Sequence, residues 1–180
     1  MLPPQSFIAR HPVGVYFALT FAISWGAALV AIGGAGVMHG ISAGSDPRFT
    51  NALIAMLAGP SVTGILLTAL VGGRAGLRAL QSRVLAWRVD VRWYAVALFT
   101  APTLMMVTLL GLSAMSRDFL PGVLTSDQKA SILMFGVAVG LSAGVFEEVG
   151  WTGFAIPTLR RRRHVVATGL IVGVWWSAWH

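Results

Sequence analysis

The stretch SILMFGVAVGLSAGVFEEVGWTGF, residues 131–154, decides how this chain reads. It is apolar over the length of a bilayer crossing, about 20 residues at 1.5 Å rise each. Yet it carries two adjacent acids, Glu147 and Glu148. A charged side chain at midspan costs on the order of 2.5–3.5 kcal/mol on insertion scales, and such a residue marks a functional site by default. Two neighbouring acids are harder still to accommodate, since like charges repel. Glu148 lies 12 residues before Arg160, which places the pair toward the cytoplasmic third of the span. Pro157 is expected to end the helix between them.

Helical geometry gives the first acid a face. Gly136 and Gly140 each fall within about 20° of Glu147 on a 3.6-residue helix, with Ala143 and Gly144 nearby. A stripe of small residues lets a second helix approach closely, so Glu147 is expected to face protein. Glu148 is turned by about 100° and need not share its partner.

The rest of the chain agrees that lipid is the solvent. Of 180 residues, 56% are hydrophobic and 11% are charged, against about 25% charged in a soluble domain. The expected fold is all-α, a polytopic transmembrane helical bundle forming one membrane-embedded domain over residues 1–180. Full spans are expected at 13–33, 51–72, 93–113 and 131–154. The first is too long for the 7–15-residue core of a signal peptide and reads as a retained span. A fifth apolar run, 165–180, is roughly 24 Å of helix, somewhat short of crossing. The chain is therefore expected to be a fragment of a longer protein. There is no cysteine, which excludes disulfides, Cys-ligated zinc and a thiol nucleophile.

The net charge of +7 comes from arginines lying between apolar runs, a pattern of topology and anionic-lipid contact and not of nucleic-acid binding. The loop after span two holds Arg74, Arg78, Arg83, Arg88 and Arg92 against Asp90, and the loop after span four holds Arg160, Arg161, Arg162 and Arg163. The intervening loops are nearly balanced: Asp46 with Arg48, then Arg117, Asp118, Asp127 and Lys129. The positive-inside rule then puts the basic loops and the N-terminus in the cytoplasm, with the protein expected in a bacterial plasma membrane. Within 74–92, apolar and basic residues recur at helical spacing. This predicts a basic interfacial helix between spans two and three, with Trp87 and Trp93 at headgroup level; a plain topogenic loop is the alternative.

The second chemical element is the run Trp175-Trp176-Ser177-Ala178-Trp179-His180. His180 lies far inside an apolar run, and imidazole can act as base, acid or metal ligand. A carboxylate on one helix and a histidine on the next suit water-activating hydrolysis: the acid takes a proton from water and the imidazole stabilises the developing oxyanion. The plainer alternatives are a bundle-stabilising or snorkelling glutamate, an interfacial histidine, and tryptophans that anchor or pack. The residues alone reach a membrane protein with a candidate acid–histidine site.

The motifs Glu147-Glu148-Val149-Gly150-Trp151-Thr152-Gly153-Phe154 and Trp176 to His180 resemble those of the CPBP intramembrane proteases. That family includes the CAAX prenyl proteases and the bacteriocin-processing and self-immunity proteins. Gly59-Pro60, Gly72 to Arg78, Trp87-Arg88 and Arg92 to Tyr94 also look like its bacterial members. The resemblance implies an endopeptidase that hydrolyses membrane-associated peptide or protein substrates, with Glu147, Glu148 and His180 catalytic. It implies Trp151, Phe154 and Trp176 as supporting or substrate-binding positions. It also admits a divalent metal such as zinc held by His180 and Glu147, although the same residues permit metal-free activation of water, and a zinc site normally takes three protein ligands. Two departures stand out: Thr152 occupies the motif's arginine position, and the third motif, a His with Asn or Asp, would lie beyond His180. They favour a second reading, a non-catalytic membrane scaffold or bacteriocin self-immunity protein. A proton-coupled transporter using Glu147 is a third, though repeated halves are not evident.

Overall fold

A computed structural model describes residues 6–34 and 46–180, so the glycine-rich stretch expected to form a loop at 33–44 lies, from residue 35 on, outside the described residues. The described residues form helices and connecting turns, with no strand among them. The chain is an all-α integral membrane protein, and among the described residues four helices are long and apolar enough to cross a bilayer.

Helix α1 (Phe7–Arg10) is capped by the Ser6 hydroxyl, which accepts from the Ala9 N–H at 3.2 Å. Helix α2 (Pro12–Ile32) starts on a proline whose missing N–H no helix would have used. It stops at Gly33, whose φ of 89° is left-handed. Helix α3 (Pro47–Val84) begins on Asp46, whose carboxylate accepts from the Arg48 N–H at 2.9 Å and pairs with its guanidinium at 2.6 Å. At Gly73 the backbone leaves the helix, with φ 56° and ψ −152°, a conformation that only glycine takes without strain.

The interfacial helix expected over 74–92 is realised only in part. Helical structure resumes after the Gly73 kink and ends at Val84, while residues 86–90 are not helical. The Asp90 carboxylate accepts from the Arg92 N–H at 3.0 Å and so starts a new helix, α4 (Val91–Ser113). Nor does the basic segment lie free: Leu80 is buried, 5% exposed.

The described chain divides into two compact units. One comprises residues 86–142: α4, a 3₁₀ turn (Arg117–Phe119), α5 (Gly122–Thr125) and most of α6 (Lys129–Gly150). Helix α4 buries none of its residues, and Leu98, Phe99, Leu104 and Met105 are exposed. An apolar, unburied surface of this kind is what lipid solvates.

The other unit comprises residues 1–85 and 143–180. Here the end of α6 runs into a π-helical turn (Trp151–Ala155), then α7 (Ile156–Arg160) and α8 (Val165–Trp179). Pro157 does not end the helix after the glutamates, as expected, because it falls in the first turn of α7. The widened turn before it has already broken the regular bonding pattern, so the missing N–H is tolerated.

A polar stripe organises the inside of this unit. Tyr16, Thr20 and Ser24, spaced by four along α2, are all fully buried. Ser24 and the Thr20 carbonyl lie against Gly59 of α3. Pro60 has no N–H to give the carbonyl of Met56, one turn earlier. The Ser24 hydroxyl donates to that freed carbonyl instead, at 2.7 Å. A Cβ on Gly59 would overlap Ser24 Oγ, so glycine is what allows the approach. The Ser61 hydroxyl donates to the carbonyl of Phe146, the residue before the glutamate pair. Gly150 packs its backbone directly on the Pro60 carbonyl, leaving no room for a Cβ, and its Cα would lie 2.8 Å from a Cβ on Gly64.

Within the unit that holds the acids, the close approach is at Gly150 and not at Gly144. A Cβ on Gly144 would meet nothing within 4 Å, and within their own unit neither would one on Gly136 or Gly140. The contact is made at Gly150, past the acids, because that is where α3 presents a proline carbonyl.

Candidate functional site

Glu147 is buried, 7% exposed, and faces protein as its helical position predicts. Its partner is on α8: the indole N–H of Trp176 donates to Glu147 Oε2 at 2.9 Å. Glu148 is exposed, consistent with its rotation of about 100° along the helix. The pair thus splits into one fixed, buried acid and one open acid.

His180 closes α8. Its Nδ1 lies 3.0 Å from the carbonyl oxygen of Trp176. A carbonyl only accepts, so in this contact Nδ1 carries a proton, and Nε2 is the ring nitrogen left for other partners. The His180 ring packs against the indoles of Trp176 and Trp179, with centroids 4.3 and 4.8 Å apart. Trp176 therefore touches both candidate groups: its N–H holds Glu147 and its ring supports His180.

The register of α8 is set by aromatic packing. Trp175 stacks on Phe17 of α2 at 5.0 Å, and Trp179, itself buried, meets Trp151 edge-on at 6.1 Å. Trp151, 2% exposed, also packs on Tyr16 at 5.4 Å, and so does Phe154, at the same distance. Trp151 and Phe154, expected as supporting residues, thus hold the π turn against α2 and α8. Both lie inside the packed core.

Thr152, in the motif's arginine position, turns back on its own helix: its hydroxyl donates to the Glu148 carbonyl at 2.7 Å. No arginine or lysine pairs with either glutamate among the described residues.

The metal pairing expected of His180 and Glu147 has no third ligand beside it among the described residues. Among the described residues no three His, Asp or Glu side chains come together, and a catalytic zinc takes three protein ligands. One Glu147 oxygen is held by an indole N–H, which cannot ligate. The described residues do not by themselves complete a three-ligand set, and no step below passes through a metal.

Sequence reasoning missed Tyr16, Thr20, Ser24, Ser61 and Thr63. The hydroxyls of Tyr16, Thr20 and Thr63 are buried and have no hydrogen-bond partner among the described residues. Tyr16 directs its hydroxyl at Gly150, where an added Cβ would meet it. The available signal was the four-residue spacing of polar residues through an apolar span, which places them on one helix face.

Residues 129–180 match the family model "Type II CAAX prenyl endopeptidase Rce1-like". A curated relative, CAAX prenyl protease 2 of Methanococcus maripaludis, is 40% identical over 40 residues. That alignment covers 22% of this chain and 15% of the relative, so the chain spans a small part of that protein's length. No solved structure matches. The matched segment holds Glu147, Glu148, Trp176 and His180, and over it the chain is similar to the type II CAAX prenyl endopeptidases.

Proposed function

We propose that this protein belongs to a membrane endopeptidase that hydrolyses peptide bonds of membrane-associated substrates, with Glu147, Glu148 and His180 as its catalytic groups. The observation that carries the reading is the Trp176–Glu147 hydrogen bond, which ties a buried carboxylate to the residue one helical turn before His180. Glu147 keeps Oε1 free to accept a proton from water, while the indole N–H holds Oε2 in place. The water oxygen then bonds to the carbonyl carbon of the scissile peptide, and the carbonyl oxygen takes up the negative charge. His180, protonated, donates through Nε2 to that oxygen, since Nδ1 is committed to the Trp176 carbonyl. The proton held by the glutamate passes to the leaving nitrogen as the C–N bond breaks. One water is consumed, and one carboxyl and one amine are formed. Glu148, open to the surroundings, brings water to the buried acid. By the positive-inside rule the N-terminus is cytoplasmic and cleavage occurs near the cytoplasmic face.

The test is cleavage of a membrane-associated peptide by the protein in liposomes. Glu147→Ala and His180→Ala should each abolish it; cleavage retained in either variant overturns the assigned roles.

A second reading, a scaffold or self-immunity protein that keeps the fold without the reaction, is favoured by one observation. Thr152 bonds to backbone where the motif supplies a cation. An absence of cleavage by the parent protein, with its immunity or scaffolding effect unchanged in Glu147→Ala, would support it.

A further inference from the structure

In the unit of residues 1–85 and 143–180, the end where α1 meets α2 opens into a cavity of about 790 Å³. Three stretches distant in sequence wall it: the α1–α2 junction, α3 on both sides of the Gly73 kink, and the π turn with α7 and the residues that follow. Arg10, Arg83, Arg161, Arg162 and Arg163 line it, with His11, and no acidic residue does. The whole chain has six acids. Asp46 and Asp90 pair with Arg48 and Arg92, and Glu147 is held by Trp176. The cavity's arginines form no ion pair with any acid among the described residues.

A topology signal needs basic residues in a loop; it does not need arginines from three stretches to converge on one hollow. Guanidinium groups match phosphate oxygens in pairs of hydrogen bonds and are weakly hydrated, so they suit a phosphate held at a protein surface. The remaining wall is small and apolar, including Val13, Ala75, Phe154 and Leu159. Gly14 and Gly72 leave it open, since a Cβ on either would meet nothing within 4 Å. A soluble phosphate has no use for such a wall, whereas an acyl chain does.

We propose that this cavity binds an anionic phospholipid, its phosphate on the converging arginines and an acyl chain along the apolar wall beside the Gly73 kink. The proposal is independent of the protease reading, because none of the cavity's residues is a candidate catalytic group.

Native mass spectrometry of the protein extracted from bilayers of phosphatidylglycerol and phosphatidylcholine tests it. The parent protein should retain one phosphatidylglycerol in preference to phosphatidylcholine. Arg10→Gln with Arg83→Gln leaves the 160–163 topology signal intact. It should weaken retention roughly thirty-fold, at about a factor of five for each arginine near an anionic headgroup. Gly72→Leu, which changes no charge and fills the cavity, should also lose the lipid; it decides alone if the double variant proves unfolded by circular dichroism. Equal retention of both lipids, or retention unchanged in the deciding variant, overturns the proposal. So does inorganic phosphate that protects lipid-free protein in micelles from thermal unfolding as well as phosphatidylglycerol does, since the ligand is then a free phosphate.

Discussion

The indole N–H of Trp176 donates to Glu147 Oε2 across 2.9 Å, and the same indole packs against the His180 ring at 4.3 Å. A single side chain thereby links the end of α6 to the end of α8 and holds the two candidate catalytic groups in register. Trp176→Phe keeps the ring and removes the N–H. A hydrogen bond to a charged group contributes about 1.5–3 kcal/mol. The variant should therefore lower kcat for peptide cleavage by roughly 10- to 150-fold, with KM nearly unchanged. Steady-state kinetics in liposomes separate the two parameters. A purely packing role for Trp176 predicts no change in kcat.

Gly150 and Gly144 lie six residues apart in sequence, yet they should respond oppositely to a methyl group. At Gly150 a Cβ would overlap the Pro60 carbonyl; at Gly144 it would meet nothing within 4 Å. Gly150→Ala should destabilise by about 1–3 kcal/mol or more through overpacking. Gly144→Ala should be neutral or stabilise by up to about 1 kcal/mol through helix propensity. Reversible unfolding in mixed micelles measures both.

Leu80 reports whether the basic segment after Gly73 is folded onto the site or merely rests at a membrane surface. Its Cδ1 would lie 2.7 Å from a Cβ on Gly153, in the π turn. Leu80→Ala should cost about 2–5 kcal/mol, as for a buried leucine. An interfacial helix without that contact would tolerate the change, and the same unfolding experiment distinguishes the two outcomes.

Thr152 separates the enzymatic from the scaffolding reading. Thr152→Val removes a hydroxyl bonded to its own helix at an exposed position and should change stability by no more than about 0.5 kcal/mol. Thr152→Arg restores the motif's cation beside the glutamate pair. If the chain is catalytic, this variant should cleave faster than the parent; no gain under matched expression argues that the site has left catalysis behind.

Much was legible in the sequence because bilayer chemistry is severe. Apolar runs of about 20 residues have few folded outcomes in lipid, so the spans, the burial of Glu147 and the opposite setting of Glu148 follow from length and helical periodicity. The motif residues carried the family resemblance for the same local reason: they are contiguous. Other features depend on which helices meet. That α6 approaches α3 at Gly150 follows from Pro60, which frees a carbonyl for Ser24 and presents its own to Gly150. That Trp176 holds Glu147, and that arginines from three distant stretches line one cavity, are long-range juxtapositions no single helix encodes. Periodicity assigns a residue to a face of its own helix; only packing decides what that face meets.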